Sequence, residues 1–297
     1  MTPDEIRNTV LKAIYSEESL IDILVLKGGN ALRLLGVTNR ESQDLDFSIK
    51  EEIRFTKEKE GVLLEKSITK AFDDKGYLVN TFTFKDKPKT RKDYLPPFWG
   101  GYSITFSIID KNKYADKINK NDANLNRYAE ELLDGTKKIE IDLSFDEYTE
   151  HKVSVELEDI KIFLYSPLMI VYEKIRASCQ QLDDYPLTSS KVRARDLYDI
   201  YTTLTNSKYI DLREEVLNSD NFYILEKTFS LKEVPLNLLT KLNSKKEDLE
   251  YDYNRSVKPQ IPQNDDTVDF DFLFSYNEEL FNLLYEKLLE ADTKVTF

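Results

Sequence analysis

The apolar positions change their period along the chain, and each change marks an element. Thr2-Pro3-Asp4-Glu5 combines an N-cap residue, a proline at the first helical position and an acid three residues after the cap, which predicts a helix to about Glu18. The apolar run "IDILVLK" (21–27) then reads as a buried strand, and "ALRLLG" (31–36) as a short helix that Gly36 can end. From Asp44 to Lys50 polar and apolar residues alternate, turning Leu45, Phe47 and Ile49 inward. Residues 57–75 predict a helix, followed by the strands "YLVNTFTF" and "YSITFSII" on either side of the loop "KDKPKTRKDYLPPFWGG". In "KKIEIDLSFDEY" the alternation returns, with Ile139, Ile141, Leu143 and Phe145 on one face and Glu140, Asp142 and Ser144 on the other.

From Ser166-Pro167 onward the period becomes helical, in "SPLMIVYEKIRASCQQL" and then "SSKVRARDLYDIYTTL". The domain change is therefore placed at residue 165, with a core over 1–165 and a helical region over 166–297. The segment "KPQIPQNDDTVDFD" reads as a surface connection before a last amphipathic helix, "SYNEELFNLLYEKLLEA". The expected fold is α+β: a mixed sheet with flanking helices, followed by a mostly helical C-terminal region. No internal repeat interrupts this order.

Composition narrows the chemistry. Of 297 residues, 55 are acidic and 42 basic, and the net charge of -13 argues against a broad electrostatic grip on nucleic acid while leaving room for a local basic patch. No stretch of about 18 apolar residues occurs, so the chain reads as soluble and cytoplasmic, with no membrane partner. With one cysteine (Cys179) and one histidine (His151), an intrachain disulfide, a Cys/His zinc site and multi-histidine ligation are excluded, and any metal must be held by oxygen. Cys179 falls at the apolar centre of a helix and reads as a small core residue, and His151 as a surface one.

Asp44 and Asp46 stand one residue apart, so on a strand both carboxylates leave the same face while Leu45 and Phe47 enter the core. Like charges so close invite a divalent cation, and Mg2+ accepts a few carboxylates together with phosphate oxygens. Asp142 could bring a third carboxylate to the same place from its own alternating strand; Glu140 shares its face and is less favoured. Lys27-Gly28-Gly29 lies between a strand and a helix, where a glycine turn exposes backbone N–H groups to phosphate, and Ser42 adds a hydroxyl two residues before the first acid. Either motif alone is weak evidence, since a Gly-Gly pair is usually only a turn and D-x-D is common on solvent-facing strands. In this order they make the arrangement needed to hold a nucleoside triphosphate with one or two metal ions.

Read together, Lys27-Gly28-Gly29-Asn30-Ala31-Leu32-Arg33 and Arg40-Glu41-Ser42-Gln43-Asp44-Leu45-Asp46-Phe47 resemble the first two motifs of the AbiEii/AbiGii-type toxin nucleotidyltransferases, within the DNA polymerase beta-like superfamily. Glu173-Lys174-Ile175-Arg176-Ala177 and Arg195-Asp196-Leu197-Tyr198-Asp199 resemble the third and fourth. The resemblance covers roughly the first 200 residues. It implies a polymerase beta-like core in which Gly28, Gly29, Ser42 and Lys27 face the triphosphate, Asp44 and Asp46 hold Mg2+ (with Mn2+ as a substitute), and Lys174 and Asp196 complete the site from the helical half. It also implies a toxin of a type IV toxin-antitoxin or phage-defence system with a cognate antitoxin, transferring a nucleotide to an acceptor such as the tRNA 3′ end. Asn30 departs from the usual Thr or Ser, although an amide can also donate to phosphate.

Helical geometry sets Lys174 at the edge of an apolar stripe of Leu168, Tyr172, Ile175 and Cys179, and Asp196 beside the stripe of its own helix. Without the resemblance, a structural salt bridge between packed helices would be the preferred reading of both. Asp199, four residues after Arg195, reads as half of a surface ion pair. The loop "RKDYLPPFWGGY" places Arg91 and Lys92 among Tyr94, Phe98, Trp99 and Tyr102; core anchoring of these aromatics is preferred over stacking on bases. Two rival functions stay open: a nucleotidyltransferase acting on a small molecule or protein, and an inactive binding homologue.

Overall fold

The computed structural model describes residues 1–38, 44–120, 122–132, 135–188, 191–261 and 268–295, with the backbone alone at 292–295. The chain divides into two compact units, residues 1–34 with 41–164, and residues 35–40 with 165–297.

The first unit runs α1 (Pro3–Tyr15), α2 (Glu18–Ile21), β1 (Leu24–Lys27), α3 (Gly28–Leu34), β2 (Leu45–Lys50), α4 (Val62–Asp73), β3 (Tyr77–Lys87), β4 (Gly101–Asp110), α5 (Ala115–Asn119), β5 (Ile139–Glu147), β6 (Lys152–Leu157) and β7 (Ile160–Tyr165). Its seven strands form one mixed sheet in the order β3-β4-β5-β2-β1-β7-β6. β2 runs antiparallel to β1 and parallel to β5, and β4 is antiparallel to both β3 and β5. The capping box forms as expected: the Glu5 amide donates to Thr2 Oγ1 at 3.2 Å, and the Thr2 amide to Glu5 Oε2 at 2.7 Å. α1 nevertheless ends at Tyr15, and the next residues close the short α2, which buries Leu20 and delays β1 to Leu24.

The expected strand at 44–50 forms as β2, and β5 buries Ile139, Ile141, Leu143 and Phe145 as its alternation requires. α3 begins at Gly28 in place of Ala31, because the left-handed φ of +69° at Gly28 turns the chain straight from β1 into the helix. The hairpin of β6 and β7 goes beyond the sequence reading. Its turn is Glu158-Asp159, with Glu158 at φ +56°, and Ile162 and Leu164 are fully buried.

The second unit holds α6 (Pro167–Cys179), α7 (Arg195–Leu204), α8 (Leu212–Val216), α9 (Phe222–Ser230), α10 (Lys246–Asp252) and α11 (Phe270–Val295). Ser166 caps α6, its Oγ accepting from the Met169 amide at 3.2 Å. α7 starts at Arg195; the amides just ahead of it are taken by side chains, Arg193 donating to Gln181 Oε1 at 2.5 Å and Ala194 to Asp252 Oδ2 at 2.8 Å. Asn277 of α11 donates to the Leu197 carbonyl at 3.2 Å and so pins α7 from another side. Among the described residues no helix is long and apolar enough to cross a membrane.

Cys179 ends α6 at 1% exposure, and burial pushes its thiol well above the usual range. The thiolate is the reactive form. Cys179 should therefore resist a maleimide or disulfide reagent in the native protein and react promptly once denaturant unfolds it, as followed by mass spectrometry; rapid native labelling would contradict the packing described here.

Candidate active site

In-register pairing lines up one residue from each of several strands. Lys85 of β3 opposes Ser103 of β4, Ser103 opposes Asp142 of β5, Asp142 opposes Asp46 of β2, and Asp46 opposes Lys27 of β1. Paired residues share a face, with β-carbons about 4.5–5.5 Å apart. This row lies on the half-exposed face, while Leu45, Phe47, Ile141 and Leu143 point the other way and are buried. Like charges directly opposed across strands repel, so the Asp46–Asp142 pair calls for positive charge. Lys87 provides some, its Nζ donating to Asp142 Oδ2 at 2.5 Å. Lys27, beside Asp46 in the row, donates to Glu147 Oε1 at 3.2 Å in a pair only 11% and 6% exposed. Its ammonium is thus engaged by a carboxylate.

Gly28 lies directly against the row. A β-carbon built there would come within 2.8 Å of Asp46 Oδ2 and would have to displace that carboxylate, and the left-handed φ strains any residue but glycine. Gly29 follows in the first turn of α3. Asn30 is buried and its amide donates to the Asp44 carbonyl at 2.7 Å, fixing the approach to β2 in place of offering that hydrogen to a ligand. Asp44 is exposed, immediately before β2. Ser42 lies outside the described residues. The structure thus brings Gly28, Asp46 and Asp142 together and sets Asp44 at the end of the same strand.

Asp142 Oδ1 is buried and accepts no hydrogen bond, which is costly for a carboxylate oxygen and leaves it able to take a ligand. With Asp46 alongside, this donor set suits a hard cation that takes few protein ligands and completes its shell with phosphate and water. Among the described residues no group of three or more His, Cys, Asp or Glu side chains is arranged as a metal cage.

In the second unit, Lys174 Nζ of α6 donates to Asp196 Oδ1 at 2.6 Å and lies 3.4 Å from Asp199 Oδ2. Asp196 and Asp199 are three residues apart on α7 and so present carboxylates on one side of it. Asp196 and Asp199 are buried, at 2% and 4% exposure, and Lys174 is largely covered, at 13%. Asp199 is therefore not half of a surface ion pair. Its spacing from Arg195 suggested one, but the buried ammonium of Lys174 is a partner that only packing of α6 on α7 supplies. Burial works against the Lys174 charge, yet Asp196, Asp199 and Glu173 outweigh it and hold its pKa above the usual lysine range. Asp196 Oδ2, like Asp142 Oδ1, is buried without a hydrogen bond.

The aromatic loop divides between two roles. Phe98 and Tyr102 are buried at 8% and 3%, and the Tyr102 hydroxyl accepts from the Phe55 amide at 2.8 Å and donates to its carbonyl at 2.7 Å. These residues are core anchors, as preferred from sequence. Tyr94, at 69% exposure, is not.

The profile of a family described as "Nucleotidyl transferase AbiEii toxin, Type IV TA system" matches residues 9–276. The chain belongs to this family, and is thereby a nucleotidyltransferase of the toxin class of type IV toxin-antitoxin systems, which implies a nucleotide substrate and a cognate antitoxin. No curated protein matches the chain. Among solved structures it is similar to JHP933 from Helicobacter pylori, at 20% identity and a TM-score of 0.49, covering 99% of this chain and 94% of that one. It is also similar to an antigenic nucleotidyltransferase-like protein from Paracoccidioides brasiliensis, at 15% identity and a TM-score of 0.36, covering 77% and 95%. Both scores are low, and the family assignment rests on the sequence match.

Gly28→Ala should lose about 1–2 kcal/mol of folding stability from the left-handed backbone alone, measured by urea denaturation; an unchanged midpoint would mean that the turn is not as described. Lys174→Met should lose about 3–5 kcal/mol, because it leaves Asp196 and Asp199 buried without their cation. A raised lysine pKa contributes stability that is fully present below the unfolded value, about 10.4, and lost only as pH rises through the higher folded value. The contribution of the Lys174 charge should accordingly persist up to about pH 9; a deficit in Lys174→Met that vanished below that pH would contradict a charged Lys174.

Proposed function

We propose that the chain transfers a nucleoside monophosphate from a nucleoside triphosphate to an acceptor hydroxyl such as the 3′ end of a tRNA, in the cytoplasm and with Mg2+, replaceable by Mn2+. The observation that carries this reading is the direct opposition of Asp46 and Asp142 in neighbouring parallel strands, with Gly28 packed against Asp46. In the reaction the acceptor oxygen bonds to the α-phosphorus, the bond from that phosphorus to the bridging oxygen breaks, and pyrophosphate leaves. Asp142 receives the hydroxyl proton; its unpartnered Oδ1 is the atom suited to it. The amides of Gly28 and Gly29, with the Ser42 hydroxyl, orient the triphosphate. Asp44, Asp46 and Asp142 are the residues that would hold the cation, which supplies charge neutralisation at the phosphates when bound.

The family resemblance assigns Lys174 to the triphosphate. Lys27 joins it only by leaving Glu147. Asp196 orients Lys174 or the acceptor, and Asp199 shares the load of holding the ammonium. A second reading, transfer to a small molecule or a protein, draws support from the net charge of -13.

Incubation with each α-labelled triphosphate, Mg2+ and total RNA tests both. Wild-type protein should label RNA with at least one triphosphate, and Asp46→Ala and Asp142→Asn should each lower the rate at least about a hundredfold, the scale of removing a group that acts on the transition state. Label entering only a small-molecule or protein fraction would favour the second reading. Equal labelling by Asp46→Ala would sink both.

A further inference from the structure

We infer that the β3–β4 hairpin is the docking surface for a single-stranded nucleic acid, its phosphates following the lysines of β3 and a base stacking on Tyr94. The chain as a whole is acidic, yet Lys85, Lys87, Lys89, Arg91 and Lys92 crowd into residues 85–92, and all of them are exposed. β3 is an edge strand, so this positive strip borders solvent along the sheet. Lys85 and Lys87 leave the same face of the strand roughly 6.6 Å apart. Their position is specific: Lys85 stands in the row of Ser103, Asp142 and Asp46, and Lys87 reaches Asp142 itself. A polyanion laid along this edge is therefore led to the carboxylates.

The loop beyond β3 separates its anchors from its exposed groups. Arg91 donates to the carbonyls of Leu95 (3.1 Å) and Pro96, tying the loop to itself, and Phe98 is seated in the core. Tyr94 instead stands 69% exposed, with Lys92 Nζ 5.5 Å from its ring centre. An exposed ring beside cations is the pairing that holds an unpaired base and its phosphate together. An anionic membrane surface is the weaker match, since that role is filled by an amphipathic helix with a continuous apolar face, whereas this strip is a strand with one exposed aromatic.

That the docked strand is the nucleotide acceptor rests on the proposed transfer reaction; that the hairpin binds it does not. The test is therefore fluorescence anisotropy of labelled single-stranded RNA and DNA oligonucleotides over a salt series, with triphosphate binding measured separately by calorimetry. Lys85→Gln/Lys89→Gln/Lys92→Gln, which spares Lys87 and the anchoring Arg91, should weaken oligonucleotide binding at least tenfold and reduce the slope of log K against log salt by about 2, at about 0.7 per lost phosphate contact. Tyr94→Ala should weaken binding at least several-fold with little change in slope. Both variants should bind triphosphate and melt as the wild type does. RNA favoured over DNA would add the ribose hydroxyl to what the hairpin reads, and equal affinity would confine recognition to phosphate and base.

Equal oligonucleotide binding by wild type and the triple variant would overturn the inference, as would binding to anionic vesicles but not to oligonucleotides. Loss of triphosphate binding in the wild type would instead count against the transfer reaction and leave the hairpin result standing.

Discussion

The parallel pairing of β2 with β5 in one particular register is the constraint on which the candidate chemistry depends. Each strand alternates, so one face of the pair is a continuous apolar layer of Leu45, Phe47, Ile141 and Leu143, and the opposite face has to carry whatever lies between them. What lies between them includes Asp46 and Asp142. A slip of either strand by one residue would drive its carboxylate into the core, and the burial of the apolar layer prevents it. Hydrophobic packing thus enforces a juxtaposition of like charge that electrostatics alone would oppose. The surroundings answer with Lys87 on Asp142 and with Lys27 next in the row to Asp46.

The helical unit solves a different electrostatic problem. There the cation is buried, and the ammonium of Lys174 stays charged because two carboxylates from a single side of α7 converge on it. Such a cluster contributes little net stability compared with apolar packing, but it is costly to break, so it holds one geometry. The start of α7 is fixed to match: side chains of Gln181 and Asp252 take the amides ahead of it and Asn277 donates to a carbonyl in its first turn.

Much of this was legible in the sequence because it is local. Alternation in 44–50 and 139–147 announced β2 and β5 together with the face each acid would occupy, and the Thr2 and Ser166 caps marked helix starts. What escaped depends on contacts between distant segments. The hairpin of β6 and β7 turns on Glu158-Asp159 without the usual glycine, so no turn signal separated its two apolar runs. Asp199 looked like a surface residue because its partner lies on another helix. Lys87, inside a long basic loop, gave no hint of reaching Asp142 from two strands away.

β5 occupies the middle of the sheet, between β4 and β2, although it is encoded long after both. During synthesis the flanking strands exist first and must wait with a gap between them, since each of their β5-facing edges lacks a partner until residues 139–147 appear. Pairings of such high sequence separation carry a large loop-closure cost and form late. A chain halted before Ile139 therefore carries Asp46 without Asp142, and its sheet in two pieces. Such fragments lack the paired carboxylates because the strand that carries Asp142 is the last of the three to be made.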